Sequence, residues 1–140
     1  MPLSTDEALR GLLDRSPVAV IGCSNTSGKA AHEIPRYLQQ HGYRIIPVNP
    51  TTDEILGQPA YDSLADVPDE VELVNVFRPS SEVSDIVDQV IDRHEERGDA
   101  SAIWLQLGIR DDEAAERAEA AGLDITQDRC MKVEHGRLVG

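Results

Sequence analysis

Along the chain, short apolar runs alternate with stretches whose apolar residues recur every three or four positions, the pattern of strands separated by helices. Leu3, Leu9, Leu12 and Leu13 stand behind Ser4, Thr5 and Asp6, which predicts an opening helix over Leu3 to Asp14 with a polar cap. Pro17 to Gly22 reads as a strand, followed by the small and polar stretch Cys23 to Ala30 and a helix from about Ala30 to His41, stopped by Gly42. Pro35 inside that helix marks its first turn or a distortion.

Tyr43 to Val48 is a second strand, closed by Asn49 and Pro50. Thr51 to Pro68 is rich in turn residues and predicts a connection with one small helix near Asp62 to Asp66. A strand at Val71 to Phe77 leads to a helix over Ser81 to Arg97, with Ser80 or Ser81 as a fitting N-cap and Val83, Ile86, Val87, Val90 and Ile91 on one face. Ala102 to Leu107 is a fourth strand, Asp111 to Ala121 a helix stopped by Gly122, and Leu123 to Thr126 a fifth strand. Cys130 to Gly140 fits no single pattern. The alternation predicts an α/β, Rossmann-like, doubly wound parallel sheet of about five strands, with helices on both faces. No linker or repeat divides the sequence, so 1–140 reads as one domain.

Composition narrows what such a fold does. Apolar residues make up 40% but aromatic ones only 4%, so aliphatic side chains carry the packing. The net charge of -13 repels nucleic-acid phosphates and anionic membrane surfaces. Lys29 and Lys132 are the only lysines, and this Arg preference with excess acid resembles proteins of salt-rich, halophilic cytoplasm. No apolar run approaches a membrane span and the N-terminal segment is charged, so a cytoplasmic location is expected. Cys23 and Cys130 are far apart, and neither they nor the four histidines show metal-ligand spacing.

Ligands of open α/β sheets bind beyond the carboxyl ends of the strands. At the first such end, Gly22, Cys23, Ser24 and Gly28 precede Lys29 and a helix start, where backbone N–H groups and a positive charge favour an anion such as a pyrophosphate. An ordinary strand-to-helix turn is the plainer alternative. The loop departs from GxGxxG at Ser24 and from the GxxxxGK[ST] spacing. Arg78 follows a buried strand toward the same edge, as a phosphate contact or as the partner of a neighbouring acid. Arg129 next to Cys130 is a setting that lowers a thiol pKa, but no histidine is spaced to act as its base.

These strand ends resemble the CoA-binding domain family, in particular the small stand-alone proteins related to the N-terminal domain of the succinyl-CoA synthetase alpha subunit. The resemblance is carried by VAVIGCS (Val18 to Ser24), IPRYLQQHGYRIIPVNP (Ile34 to Pro50), VNVFRPS (Val74 to Ser80), IWLQLGIR (Ile103 to Arg110) and DRCMKVEH (Asp128 to His135). It implies coenzyme A or an acyl-CoA as ligand. Gly22, Ser24 and Lys29 would then meet the diphosphate, with Cys23 in the same loop, and Val48, Asn49 and Pro50 would line the adenine side. Phe77, Arg78 and Pro79 would close the pocket, and Gln106 and Gly108 would lie toward the pantetheine arm. Cys23 replaces a residue that is often Ala, and Lys29 one that is often Arg. The synthetase's phospho-histidine belongs to a different domain, which argues against ligase activity. The expected role is a carrier, a sensor or a partner subunit without catalysis, with protein partners and self-association open. The alternatives are a nucleotide-dependent, NAD-type or thiol-active enzyme using Cys130 or Cys23, or an interaction module with a vestigial ligand site.

Overall fold

A computed structural model describes residues 2–140. In chain order the elements are α1 (Asp6–Leu13), β1 (Val18–Ile21), α2 (Ala30–Gln40), β2 (Ile45–Val48), β3 (Glu54–Ile55) and β4 (Gln58–Pro59). After a 3-10 turn at Leu64–Asp66 come β5 (Leu73–Val76), α3 (Ser80–Arg97), β6 (Ala102–Leu105), α4 (Asp112–Ala120), β7 (Asp124–Thr126) and α5 (Met131–Leu138). Five strands form one sheet in the order β2-β1-β5-β6-β7, every neighbouring pair parallel, as expected from the alternating pattern.

The two-residue period of the strands divides the core into two layers. Ala19, Val74, Val76 and Ile103 face Val83, Val87 and Val90 of α3 and Ala114, Ala115 and Ala118 of α4. Val18, Val20, Leu73 and Trp104 face Leu9, Leu12 and Leu13 of α1, Leu38 of α2 and Met131 of α5. All of these but Leu12 and Leu13 are completely buried, so truncating a large one such as Leu38 to Ala costs about 2–5 kcal/mol.

Several boundaries differ from the sequence expectation for local reasons. α1 starts at Asp6, with the Thr5 hydroxyl accepting from the Ala8 N–H at 3.2 Å, while Leu3 extends the sheet edge by donating its N–H to the Ile125 carbonyl at 2.7 Å. The N-cap of α3 is Pro79, not Ser80 or Ser81; the Ser80 hydroxyl instead accepts from the Arg110 N–H at 3.0 Å. The Thr51 to Pro68 connection contains the β3–β4 hairpin, whose two-residue turn puts both Leu56 (φ 54°) and Gly57 (φ 75°) in the left-handed region. That is the geometry of a type I′ turn, without the usual Asn or Asp in first place.

The C-terminal segment folds as α5, which buries Met131, Glu134 and His135. Met131 anchors it: its N–H donates to Gln106 Oε1 at 3.3 Å, and its sulfur accepts from Asn75 Nδ2 at 3.3 Å. No helix among the described residues is long and apolar enough to cross a membrane.

Candidate functional site

The chain leaves β1 for β2 on one side, and β5 lies against the other side of β1, so the strand order reverses between β1 and β5. That reversal opens a crevice at the carboxyl ends of the strands. A cleft of about 730 Å³ occupies it, lined by the ends of β1 (Ile21 to Ser24), β2 (Val48 to Thr51) and β5 (Phe77, Arg78). Lys29 and Ala31 at the start of α2, Asp62 to Leu64, and Glu82, Ile86 and Gln89 on one face of α3 complete its wall.

Gly22 is what lets the first and third walls meet. Its φ is +84°, and a Cβ there would lie 2.8 Å from Arg78 Cδ and 3.0 Å from the Phe77 carbonyl oxygen. The glycine thus supplies a backbone turn and the space through which the Arg78 stem passes.

The loop after Gly22 is held by its neighbours. Pro35 lies in the second turn of α2 and has no N–H for the Ala31 carbonyl, which the regular helix pattern would assign to it. That carbonyl accepts from the Ser24 N–H at 2.9 Å, so the helix defect becomes an anchor for the loop. The Ser24 carbonyl lies 2.7 Å from His32 Nδ1, and the Ser24 hydroxyl accepts from the Thr26 N–H at 3.0 Å. Asn49 is engaged at both ends of its amide: Nδ2 donates to the Cys23 carbonyl at 2.9 Å, and Oδ1 accepts from the Thr51 N–H at 2.8 Å and hydroxyl at 2.7 Å. It ties the β1 loop to the β2 loop.

The charged groups of the cleft are two acids and two bases, Asp62 and Glu82 against Lys29 and Arg78. Arg78 donates to both carboxylate oxygens of Glu82, from Nε at 3.1 Å and from Nη2 at 2.7 Å. Through these bonds the guanidinium holds the Glu82 carboxyl below its usual range and its own pKa rises. Lys29, the N-cap of α2, makes no side-chain capping bond and, among the described residues, has no ion-pair partner. The nearby Gly28 N–H donates to Glu33 at 3.1 Å, which lowers that carboxyl's pKa.

Nine of the twelve residues singled out from sequence line this cleft: Gly22, Cys23, Ser24, Lys29, Val48, Asn49, Pro50, Phe77 and Arg78. Three do not. Pro79 caps α3, and Gln106 is 2% exposed, with Nε2 donating to Asn75 Oδ1 at 2.9 Å and Oε1 accepting from Met131. Gly108 donates its N–H to Asp128 at 2.6 Å beyond the end of β6. Asp62, Ser63, Glu82, Ile86 and Gln89 were not anticipated, although Arg78 and Glu82 stand four residues apart at a helix start, a spacing that signals an ion pair.

Cys23 borders the cleft but is wholly buried, and desolvation pushes its thiol up to about 12, far from the thiolate that nucleophilic chemistry needs. Cys130 is the N-cap of α5 and lies outside the cleft wall. No group of three or more His, Cys, Asp or Glu among the described residues is arranged to hold a metal ion.

Comparison with known proteins bears on the same elements. A family model described as a CoA binding domain matches residues 16–136. YneT of Bacillus subtilis (strain 168) is 34% identical over 128 residues, covering 91% of both chains. The ADP-forming acetate–CoA ligase II of Archaeoglobus fulgidus is 36% identical over 106 residues, which are 74% of this chain but 15% of that one. The solved structure of a hypothetical protein from Pyrococcus horikoshii OT3 superposes with a TM-score of 0.90 at 36% identity, covering 100% of this chain and 97% of the other.

Proposed function

The chain belongs to the CoA binding domain family, and from that premise we propose that it binds coenzyme A or an acyl-CoA in the β1–β5 cleft, without a reaction of its own. The observation that carries this reading is the convergence in one cleft of a glycine-opened loop, a helix start bearing Lys29, the β2 end at Val48 to Pro50, and Arg78. An N-terminal helix dipole with a lysine suits a diphosphate. The half-apolar β2 end suits a flat base, and the cleft volume is in the range of small-molecule sites.

In this reading Gly22, Ser24 and Lys29 face the diphosphate, Val48 and Pro50 border the adenine, and Asn49 positions the two loops around it. Phe77 and Arg78 close the third side, and the pantetheine arm leaves the cleft toward the surface beyond the β6 end, near Gly108. The protein then serves in the cytoplasm as a carrier, a sensor or the CoA-holding partner of another chain. The last role draws support from the acetate–CoA ligase relative, in which the matching region is a small part of a much longer protein.

Calorimetric titration with CoA and with NADH tests the reading. CoA should give saturable heat and bind more tightly than NADH, and Lys29→Ala should weaken CoA binding by about 1–3 kcal/mol, the range for a charge-assisted hydrogen bond. Tight NADH binding with no CoA heat would overturn it.

A further inference from the structure

Resting on the CoA reading, we propose that Glu82 is a specificity residue of the cleft: an internal carboxylate that occupies Arg78 until a phosphoryl group of the ligand takes its place. Both side chains line the cleft. The pairing is fork to fork, Nε and Nη2 of Arg78 against the two oxygens of Glu82. It uses the edge of the guanidinium whose parallel donors match two oxygens of a phosphate.

The backbone sets this arrangement. Arg78 stands two residues before α3 and Glu82 one turn further along, while Ile86 and Gln89 line the cleft from the same helix face. The Arg78 stem passes over Gly22, where its Cδ sits in the space a Cβ would claim. That path brings the half-exposed guanidinium to the cleft, where it can exchange one partner for another. The pair is about half exposed, at 47% and 45%, so water screens it and its hold on Arg78 is weak enough for a dianion to break.

Charge gives the exchange its selectivity. While Glu82 stays on Arg78, the paired guanidinium adds little to the attraction that Lys29 and the start of α2 offer an anion. A phosphoryl group carries the charge and the paired oxygens to replace that carboxylate. A neutral pantetheine arm has neither and gains nothing from Arg78. Glu82 thus makes affinity depend on the phosphorylated end of the ligand.

Calorimetry of the wild type, Glu82→Gln, Arg78→Ala and the double variant against CoA, ADP and pantetheine tests this, with circular dichroism confirming that each is folded. Glu82→Gln should tighten CoA and ADP by about two- to fivefold, the scale of an exposed ion pair, and leave pantetheine unchanged. The gain should vanish in the Arg78→Ala background. The same gain without Arg78 would mean a general charge effect and overturn the proposal, as would a Glu82→Gln protein that binds CoA no tighter than the wild type. In both of those cases the CoA reading stands. Absence of CoA heat in all four folded proteins would overturn the CoA reading and the proposal with it.

Discussion

Replacing Gly22 by alanine separates two costs that the structure assigns to one position. The left-handed backbone of Gly22 (φ +84°) strains any residue with a Cβ by about 1–2 kcal/mol. Loss of glycine's freedom in the unfolded chain returns about 0.4–1 kcal/mol. Gly28 has the same conformation (φ +91°) but open space around its missing Cβ, so Gly28→Ala should cost between roughly 0 and 1.5 kcal/mol from these two effects alone. At Gly22 the added carbon also meets Arg78 Cδ at 2.8 Å and the Phe77 carbonyl oxygen at 3.0 Å. The arginine stem can move aside, but the carbonyl is main chain, in the residue directly after β5 whose N–H is held by the Ile21 carbonyl. Overpacking of this kind adds about 1–3 kcal/mol. Gly22→Ala should therefore be less stable than Gly28→Ala by that margin in urea unfolding, and should lose CoA affinity because Arg78 is displaced. Equal stabilities for the two variants would refute the steric reasoning, and unchanged CoA affinity in Gly22→Ala would refute the placement of Arg78 in the site.

Other outcomes follow from neighbouring features. Pro35→Ala restores an N–H for the Ala31 carbonyl and so competes with Ser24 for it; the helix should gain stability while CoA affinity falls, and an unchanged dissociation constant would show that the Ser24 anchor is dispensable. Asp99 is buried, which alone would raise its pKa, but hydrogen bonds from Arg93 and the Val71 N–H outweigh this and hold it low. Its stabilisation is complete above about pH 4 and is lost as pH falls through the lower folded value. Asp99→Asn, which leaves the buried Arg93 without its counter-charge, should cost about 3–5 kcal/mol at pH 7 and flatten the acid limb of a pH series of urea melts. Melting temperature should rise with potassium chloride, because 26 acidic side chains repel one another when unscreened; a flat or falling trend would contradict the expected adaptation to salt.

The strands and the four longer helical patterns were legible because their buried faces are built from aliphatic residues at the expected periods. α5 was not, since two of its three buried residues are Glu134 and His135; they are held by Arg137 and Arg129 and by the Tyr37 hydroxyl, contacts that leave no hydrophobic signature. The β3–β4 hairpin was missed because Leu56, which takes a left-handed backbone and whose carbonyl accepts from Gln39 at 3.1 Å, gives no turn signal. The site was legible where it consists of strand ends, which topology brings to one edge whatever their side chains. Gln106 shows where that logic stops: it sits at a strand end, yet its amide is spent inside the sheet on Asn75 and Met131. Asp62 and Glu82 come from a connection and a helix face, whose orientation depends on packing that no local pattern encodes.

The most direct measurement is a ¹H–¹⁵N correlation spectrum of the chain titrated with CoA. Occupancy of the β1–β5 cleft predicts shifts concentrated in the amides of Gly22 to Lys29, of Val48, Asn49 and Thr51, of Asp62 to Leu64, and of Phe77, Arg78 and Ser80 to Glu82, with α1 and the far end of α4 unmoved. A spectrum unchanged at saturating CoA, or shifts gathered on α1 and α5 with the cleft amides silent, would contradict it.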